Sequence, residues 1–315
     1  MDFIDSSSIR DIASHSEWVE AMENALQLIT TGNYILPERM HLDRGEDTFL
    51  IMPCITDEYW VTKLVSFCPG NRQKERPSIY GTVVLNDTKT GETLAILDGR
   101  MITAMRTAAV TAAGIKYLSP INCQSLGIIG TGTQGIYQAI FACSVRKIIE
   151  IRAFDSDPSN LKKFADEMNL RYPDIRVHMA NDSDDVALNS QVIISATDSG
   201  EPVFKNNKEL FTGRTFVGIG SYKPGCREFP EQLYRQTDQV FVDTMDGKHE
   251  SGDLITPVKN NWIAENKIYS IGKLLEDESI QTPNPTRLFK TVGFALLDLF
   301  AAKLVYETHL IQRLE

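Results

Sequence analysis

The first clear hydrophobic pattern along the chain predicts an amphipathic helix over residues 14–32. Ser14 and Glu17 have the spacing of a capping box, in which a side chain and the backbone at a helix start satisfy each other. Gly32 follows the last apolar position, as is typical of a helix end. The apolar residues that fall on one face are Trp18, Met22, Ala25, Leu26 and Ile29. We therefore expect a packing helix here.

Runs rich in β-branched and aromatic residues follow, and they predict an antiparallel sheet within the first hundred residues. These runs cover residues 48–52, 59–67, 80–85 and 92–97. The last two runs flank Asn-Asp-Thr-Lys-Thr-Gly at 86–91, a composition typical of a hairpin turn.

A segment rich in small residues, 102–117, predicts a helix that other elements approach closely. We expect this helix to lie buried between the sheet and the unit that follows it. Arg106 lies inside the segment, and a buried arginine requires an anionic partner.

From residue 124 to residue 243, strand and helix patterns alternate, which predicts a doubly wound parallel sheet. Helical patterns follow residue 135, cover 158–170 and start again at 182–185. The predicted strands cover 125–129, 148–154, 175–179, 191–196, 215–220 and 239–243. Thr197 follows the fourth of these strands, at the sheet edge where folds of this class bind ligands. Its alternative role is to cap the next turn.

A last helix is predicted over residues 288–313 from its helically spaced apolar positions. Gly293 would lie inside that helix at a cost of about 1 kcal/mol relative to alanine, so we expect a close approach there. A helix ends and a proline follows near 118–120, which indicates a domain boundary. The chain is therefore predicted to form two domains, residues 1–117 completed by 288–315, and residues 118–287.

Gly130-Thr-Gly132-Thr-Gln-Gly135 follows the strand at 125–129 and precedes a helical pattern. This order of strand, glycine turn and helix is the dinucleotide-binding fingerprint of a Rossmann-type domain, in which the helix start binds the pyrophosphate. Asp155 ends the next strand, 20 residues beyond Gly135, and is placed to accept both ribose hydroxyls. The alternatives are that the glycines serve only a tight turn and that Asp155 is a helix N-cap.

Composition narrows the class of protein. The 315 residues suffice for two domains, and a net charge of -10 argues against a nucleic-acid partner. No apolar run is long enough to span a membrane; the best candidate, 292–305, contains Asp298 and Lys303. The scattered cysteines and histidines indicate neither a disulfide framework nor a metal site. Acids and serines occupy the start of the chain, so we expect a cytoplasmic location.

Several short motifs, in this order, resemble the ornithine cyclodeaminase/mu-crystallin family, and the resemblance covers residues 37 to 305. The combination of Lys63, Arg106 and the glycine motif is specific, whereas any one of them alone is not. The motifs are Arg39, Met52-Pro53, Lys63-Leu-Val-Ser66, Thr90-Gly91, Asp98-Gly99, Thr103-x-x-Arg106-Thr107-Ala108, Gly130-x-Gly132-x-Gln134 and Lys290-Thr-Val-Gly293.

The resemblance implies an α/β protein with a Rossmann-type NAD-binding domain and an N-terminal α+β domain for substrate binding and dimerisation, completed by the C-terminal helix. It implies that Arg39, Lys63 and Arg106 hold a substrate carboxylate, with Lys63 and Arg106 catalytic and Val292 also near the substrate. The residues that the resemblance and the fingerprint place around the nucleotide are Gly130, Gly132, Thr133, Gln134, Gly135, Asp155, Thr197, Ile219, Gly220, Ser221 and Thr291. Considered alone, each cation has the alternative of an ordinary surface residue.

Three departures from the family pattern bear on function. Glu75 and Arg76 stand where members often have glycine and an apolar residue, and Thr291 replaces a usual serine. Tyr222 stands where the cyclodeaminase has a catalytic aspartate. Tyrosine has a reference pKa of about 10 and supplies no negative charge near neutral pH. Its alternative role is to pack beside Pro224.

These observations favour an NADH-dependent reductase of a small cyclic ketimine acid, such as 1-pyrroline-2-carboxylate going to L-proline. NAD(H) is expected in preference to NADP(H), because Asp155 would repel a 2'-phosphate. The expected partners are a small anionic amino or imino acid and a second copy of the chain. An ornithine cyclodeaminase, an alanine-type dehydrogenase and a nucleotide-dependent binding protein of the mu-crystallin kind remain the alternatives.

Overall fold

The computed structural model describes residues 1–74 and 76–314, so the departure noted at Glu75 lies outside the described residues. The chain divides into unit 1, Met1–Thr107 with Gly293–Glu315, and unit 2, Ala108–Val292. These boundaries differ from the predicted 117/118 and 287/288. One helix, Gly99–Leu118, runs unbroken through the first boundary, and a strand precedes the second, so neither boundary coincides with a helix end.

Unit 1 is built on a sheet of order β1-β6-β5-β4-β3-β2, in which β1 is parallel to β6 and the other pairs are antiparallel. The predicted antiparallel sheet is confirmed, and β1 and β2 extend it at its two edges. The elements are β1 (Asp2–Ile4), α1 (Ser6–Asp11), α2 (His15–Thr31), β2 (Met40–Arg44), β3 (Asp47–Ile55), β4 (Tyr59–Phe67), β5 (Ile79–Asp87), β6 (Thr93–Asp98), α3 (Gly99–Leu118, which continues into unit 2) and α11 (Ala295–Gln312).

Helix α2 begins and ends where its sequence predicts. The Ser14 hydroxyl accepts from the Glu17 amide, the Glu17 carboxylate accepts from the Ser14 amide, and Gly32 ends the helix in the left-handed region at φ 81°. The predicted apolar face is buried, with Trp18, Met22 and Leu26 fully covered. Helix α2 packs against α11, which in turn lies across β3, β4 and β5.

Unit 2 is a parallel sheet of order β13-β12-β14-β11-β10-β7-β8-β9, which confirms the doubly wound Rossmann-type architecture. Its elements are β7 (Ser125–Ile129), α4 (Thr133–Val145), β8 (Glu150–Phe154), α5 (Pro158–Arg171), β9 (Arg176–Met179), α6 (Ser183–Leu188), β10 (Val192–Ser195), β11 (Thr215–Gly218), α7 (Glu231–Gln236), β12 (Val240–Val242), α8 (Gly247–Glu250), α9 (Gly252–Lys259), β13 (Ile268–Ser270), α10 (Ile271–Glu276) and β14 (Arg287–Lys290). Four rings, Phe204, Phe211, Phe216 and Phe229, pack together in its core.

The prediction of one continuous C-terminal helix from residue 288 is wrong at its start. Residues 287–290 form β14, which pairs with β11 and β12 in the middle of the parallel sheet. A short apolar run is compatible with either a buried strand or a buried helix, and here the sheet decides. Gly293 then takes φ 68° in the connection to α11. It is a turn residue, not a helix-interior glycine.

Strand β7 lies between β8 and β10. From β7 the chain adds β8 and β9 on one side of the sheet and then β10 and β11 on the other, so the strand order reverses at β7. Open parallel sheets bind ligands at such a reversal, beyond the carboxyl ends of the strands. The carboxyl ends of β7, β8, β10 and β11 lead into residues 130, 155, 196 and 219. The fold of unit 2 therefore brings the predicted nucleotide-binding residues to one edge.

Candidate active site

Two of the predicted cations meet on one buried carboxylate of unit 1. Lys63 takes an inward position of β4, is 1% exposed, and donates from Nζ to Asp298 Oδ1 at 2.8 Å. Arg106 lies on α3, is 6% exposed, and donates from Nε to the same oxygen at 3.0 Å. The expectation that a buried Arg106 has an anionic partner is confirmed.

Gly293 joins the third cation to this group. Arg39 Nη2 donates to the Gly293 carbonyl at 2.5 Å. The Arg106 guanidinium lies against the other side of this glycine, since a Cβ on Gly293 would be 2.3 Å from Arg106 Nη1. The close approach expected at Gly293 is thus confirmed, and the three cations are brought together.

Asp298 is a member of this cluster that sequence reasoning missed. It lies on α11 and is fully buried, and its Oδ2 has no hydrogen-bond partner in the described part of the chain. A lone acid among the apolar residues of a helix is the signal by which Asp298 could have been found. Its partners lie 235 and 192 residues away in the sequence, so spacing alone does not reveal them.

The charge balance of this cluster favours an anion. In this cluster Arg39, Lys63 and Arg106 supply three positive charges, and Asp298 supplies a negative charge shared by Lys63 and Arg106. Burial lowers the pKa of Lys63 to about 8; Asp298 raises that pKa and the Arg106 charge lowers it further. Lys63 is therefore a cation below pH 8 and a proton donor with a pKa close to neutrality.

In unit 2 the glycine turn has the geometry of a phosphate cradle. Gly130 adopts φ 85°, and a Cβ there would be 2.5 Å from the Ala196 carbonyl. Gly132 is the N-cap of α4 and makes no side-chain cap, and a Cβ there would meet nothing within 4 Å. A Cβ on Gly135 would be 2.2 Å from the Gly130 carbonyl. The helix start therefore has open space above it, and its first amides fit a pyrophosphate.

Asp155 lies at the end of β8 beside this turn. Its Oδ2 accepts from the Thr131 amide at 2.7 Å and the Thr131 hydroxyl at 2.9 Å, and its Oδ1 accepts from the Asp157 amide at 2.9 Å. The N-cap of α5 is Asp157, so the alternative role of Asp155 as that cap is wrong. Oδ2 thus accepts two hydrogen bonds, whereas Oδ1 accepts one and keeps acceptor capacity for a ribose hydroxyl.

Glu228 organises the strand ends where Thr197 and Gly220 lie. Its Oε1 accepts from the Thr197 amide at 2.9 Å, the Thr197 hydroxyl at 2.8 Å and the Ser195 hydroxyl at 2.6 Å. Its Oε2 accepts from the Gly220 amide at 2.8 Å. The fully buried Glu228 thus ties the segment after β10 to the segment after β11. Sequence reasoning did not predict this role, because Glu228 lies in a loop without a motif.

A second buried carboxylate, that of Asp253, binds the backbone at Glu228. Asp253 Oδ1 accepts from the amides of Glu228 and Phe229 at 2.9 and 3.1 Å. Burial raises the pKa of Asp253 to about 6, although Lys290, with Nζ at 3.6 Å from Oδ2, opposes the shift. These contacts fix the backbone that carries Glu228.

The remaining predicted residues lie around the end of β14 and after β11. Thr291 is 2% exposed and donates to Asp243 Oδ2 at 2.5 Å, and the Val292 amide also donates to Asp243. The Ser221 hydroxyl is buried and hydrogen-bonded to Ser251 at 2.9 Å. The Ile219 amide donates to the Ser195 carbonyl. The hydroxyls of Thr291 and Ser221 are engaged by the protein, and their roles toward a nucleotide stay predictions.

Tyr222 lies half-buried in the loop that follows β11. Burial raises its pKa above the ordinary tyrosine value, so its hydroxyl stays neutral at physiological pH. Lys223 Nζ lies 5.6 Å from the centre of its ring. The loop therefore carries a neutral hydroxyl at Tyr222.

The described residues form neither a metal site nor a membrane-spanning helix. Within 1–74 and 76–314 no group of three or more His, Cys, Asp or Glu side chains is arranged to hold a metal ion. Over the same residues, every helix is too short or too polar to cross a bilayer.

Comparison with known proteins gives consistent results over nearly the whole chain. The sequence profile described as the Ornithine cyclodeaminase/mu-crystallin family matches residues 2–312. A Delta(1)-pyrroline-2-carboxylate reductase of Bacillus cereus is 30% identical, over 98% of this chain and 97% of the relative. A solved Delta(1)-pyrroline-2-carboxylate reductase of Thermococcus litoralis, in complex with NADH and L-proline, has TM-score 0.92 and 32% identity over 99% of this chain and 98% of its own. An archaeal alanine dehydrogenase dimer with bound NAD has TM-score 0.91 and 25% identity over 99% and 96%.

Proposed function

This chain belongs to the ornithine cyclodeaminase/mu-crystallin family, and from that premise we propose that it is an NADH-dependent reductase of a small cyclic ketimine acid. The leading reaction is reduction of 1-pyrroline-2-carboxylate to L-proline. The observation that carries the proposal is the buried convergence of Lys63 and Arg106, with Arg39 beside them, in unit 1. The reductases of Bacillus cereus and Thermococcus litoralis support the same substrate class.

The cations of unit 1 perform the substrate side of the reaction. A guanidinium binds a carboxylate through charge-assisted hydrogen bonds that contribute roughly 1.5 to 3 kcal/mol each. Positive charge beside an α-carboxylate also makes the neighbouring C=N carbon more electrophilic. Lys63, with a pKa of about 8, is protonated at neutral pH and is suited to keep the ring nitrogen in its protonated, reactive form.

The glycine turn of unit 2 and the start of α4 would bind the cofactor. When bound, reduced NAD supplies a hydride, which adds two electrons and one hydrogen to the imine carbon, while the ring nitrogen carries the proton. The residues that fit this cofactor are the glycine turn, with its open helix start, and Asp155, which would accept the ribose hydroxyls. Asp155 would repel a 2'-phosphate, so the proposal names NADH and not NADPH.

The proposal excludes redox-neutral cyclodeamination. That reaction requires a carboxylate to bind and exchange protons with the distal amine of the substrate. Tyr222 is neutral, and Glu228 is fully buried and already accepts four hydrogen bonds. A substrate that arrives as a cyclic imine has no distal amine, so it does not need this carboxylate.

We also propose a homodimer formed through the outer face of the unit 1 sheet. Leu42, Phe49, Ser66 and Tyr80 lie opposite one another on four neighbouring strands, β2 to β5, and their side chains share one face of the sheet. On the next row, Met40, Ile51 and Leu64 are neighbours on the same face. The large apolar residues exposed on this face are Met40, Leu42, Phe49, Leu64 and Tyr80. A contiguous apolar face of this kind is typical of a protein interface, and the archaeal alanine dehydrogenase is a dimer.

Leu64→Glu tests the dimer, since it puts a charge in the middle of that face. Size-exclusion chromatography with light scattering should give a dimer for the unaltered protein and a monomer for the variant. Leu310→Glu, at an exposed apolar position on α11, is the matched control and should stay dimeric. A monomeric unaltered protein would contradict this part of the proposal.

A cytoplasmic location remains part of the proposal on the sequence argument alone.

The decisive experiment on activity is the loss of NADH absorbance with a panel of acids. The panel contains 1-pyrroline-2-carboxylate, its six-membered-ring analogue, pyruvate with ammonia, and ornithine with NAD. Reduction of a cyclic imino acid with the highest kcat/KM supports the proposal. A preference for pyruvate with ammonia would indicate an alanine-type dehydrogenase. NADH binding without turnover of any acid would indicate a binding protein of the mu-crystallin kind.

A further inference from the structure

We propose that Asp298 is a positioning residue for the substrate-binding cations: it holds Lys63 and Arg106 at a fixed spacing and screens their mutual repulsion. This inference rests on the proposed function, because it assumes that the two cations bind a carboxylate. It adds a residue from α11 to a site otherwise built from β4, α3 and the segment before β2.

The geometry assigns one oxygen to two cations. Asp298 Oδ1 accepts from Lys63 Nζ at 2.8 Å and from Arg106 Nε at 3.0 Å. The hydrogen bond from Arg106 uses Nε and therefore does not use the two Nη nitrogens. The Lys63 ammonium has three N–H donors, and Asp298 takes one of them. Asp298 thus orients both side chains while leaving donors for a substrate.

Electrostatics explains why a carboxylate is needed at this position. Both nitrogens contact one oxygen, so they lie within about 6 Å of each other, where like charges in a buried site repel strongly. Asp298 offsets that repulsion. Removal of its charge would leave two buried cations side by side, and only Lys63 can relieve the repulsion by losing its proton.

The charged groups with the largest effects on Lys63 enter the same balance. Asp298 on α11 favours the protonated form, whereas Arg106 on α3 and Arg39 before β2 oppose it. Burial, together with the negative charge of Asp298, raises the pKa of the Cys54 thiol on β3 to about 12, so this thiol stays neutral. The Lys63 Nζ also lies 3.5 Å from the Thr103 hydroxyl. Asp298 is the single negative group among them.

The test measures the binding of pyrrole-2-carboxylate, a planar ring carboxylate that cannot accept a hydride, from pH 6 to pH 10. In the unaltered protein, affinity should decrease above about pH 8 as Lys63 loses its proton. In Asp298→Asn, which is isosteric but uncharged, this decrease should begin at least about one pH unit lower. At pH 8 the variant should bind roughly five-fold more weakly or worse. Asp298→Glu, which keeps the charge, should restore the decrease to near pH 8.

Glu307→Gln is the matched control, because it also removes a carboxylate from α11. That carboxylate accepts a hydrogen bond from the Tyr59 hydroxyl and contacts neither Lys63 nor Arg106 in the described hydrogen bonds. Its binding profile should match that of the unaltered protein. If Asp298→Asn does not fold, the pair Lys63→Met and Lys63→Met/Asp298→Asn replaces it. Within that background, Asp298→Asn should no longer shift the pH dependence of binding, because Lys63 is the group whose protonated form Asp298 favours.

The outcomes separate this inference from the proposed function. An Asp298→Asn profile that coincides with the unaltered one would overturn the inference and leave the proposed function standing. A shift of about one pH unit caused by Asp298→Asn in the Lys63→Met background would overturn it as well. If the unaltered protein binds no pyrrole-2-carboxylate at any pH, the carboxylate site itself is wrong, and the inference falls with it.

Discussion

Replacement of Gly293 by alanine should displace the Arg106 guanidinium and reduce catalysis in addition to stability. Gly293 takes φ 68° between β14 and α11, and Arg39 binds its carbonyl oxygen. An added Cβ would be 2.3 Å from Arg106 Nη1 and 2.8 Å from Nη2. Nonbonded carbon and nitrogen atoms do not approach so closely, so the guanidinium has to move.

The magnitude follows from two separate terms. The left-handed conformation costs an alanine roughly 1 to 2 kcal/mol relative to glycine. To reach ordinary contact distance, the guanidinium must shift by about 1 Å, while Asp298 holds its Nε. A misplacement of ~1 Å in a binding group costs ~100-fold in rate, or about 2.7 kcal/mol in transition-state stabilisation. We therefore expect a ~100-fold lower kcat/KM for the cyclic imino acid together with a modest loss of stability.

Gly91→Ala is the matched control. Gly91 also lies in unit 1 and takes φ 76°, but a Cβ there would meet nothing within 4 Å. It should lose the same roughly 1 to 2 kcal/mol of unfolding free energy in urea and keep kcat/KM within about two-fold. If Gly293→Ala and Gly91→Ala have equal effects on both measurements, the contact between Gly293 and Arg106 has no role in catalysis, and the reasoning is refuted.

Three further predictions concern the substrate and the cofactor. Lys63→Met and Arg106→Met should each lower kcat/KM by an amount on the order of 3 to 5 kcal/mol, since each leaves the substrate carboxylate under-neutralised in a buried site; near-normal kcat/KM in folded variants would exclude the carboxylate clamp. The unaltered protein should show a higher kcat/KM with NADH than with NADPH, and Asp155→Ser should narrow the difference; equal values for the two cofactors in the unaltered protein would contradict the role of Asp155. Purified protein given ornithine and NAD should form no proline and release no ammonia, because Tyr222 supplies no carboxylate; catalytic ammonia release would show that another acid has that role.

Local patterns were sufficient for most of the architecture. Short sequence motifs predict both ends of the helix at 15–31: a capping box at its start and a left-handed glycine at its end. Strand β4, Tyr59–Phe67, has the predicted bounds, and so does β7, Ser125–Ile129. These elements depend on interactions between residues close in sequence or on a simple period. For that reason they can be read without knowledge of the rest of the chain.

Residues 287–293 show where local reading fails. Arg-Leu-Phe-Lys is apolar enough to continue a helix, yet it forms the strand between β11 and β12. The hydrogen-bonding partners of a parallel strand come from distant parts of the sequence, so its period gives no sign of them. The same error placed Gly293 inside a helix, although its need for a close neighbour was predicted correctly.

The site divides in the same way. The sequence by itself determined the Rossmann-type fingerprint, the acid at Asp155 and, through family resemblance, the three cations. Only the tertiary structure decided that Lys63 and Arg106 share one oxygen of Asp298, and that Glu228 ties Thr197 to Gly220. A motif records residues that share a local backbone geometry. A buried charge, in contrast, is stabilised by whichever partner the packing of distant elements brings within about 3 Å, and that distance exists only in the folded chain.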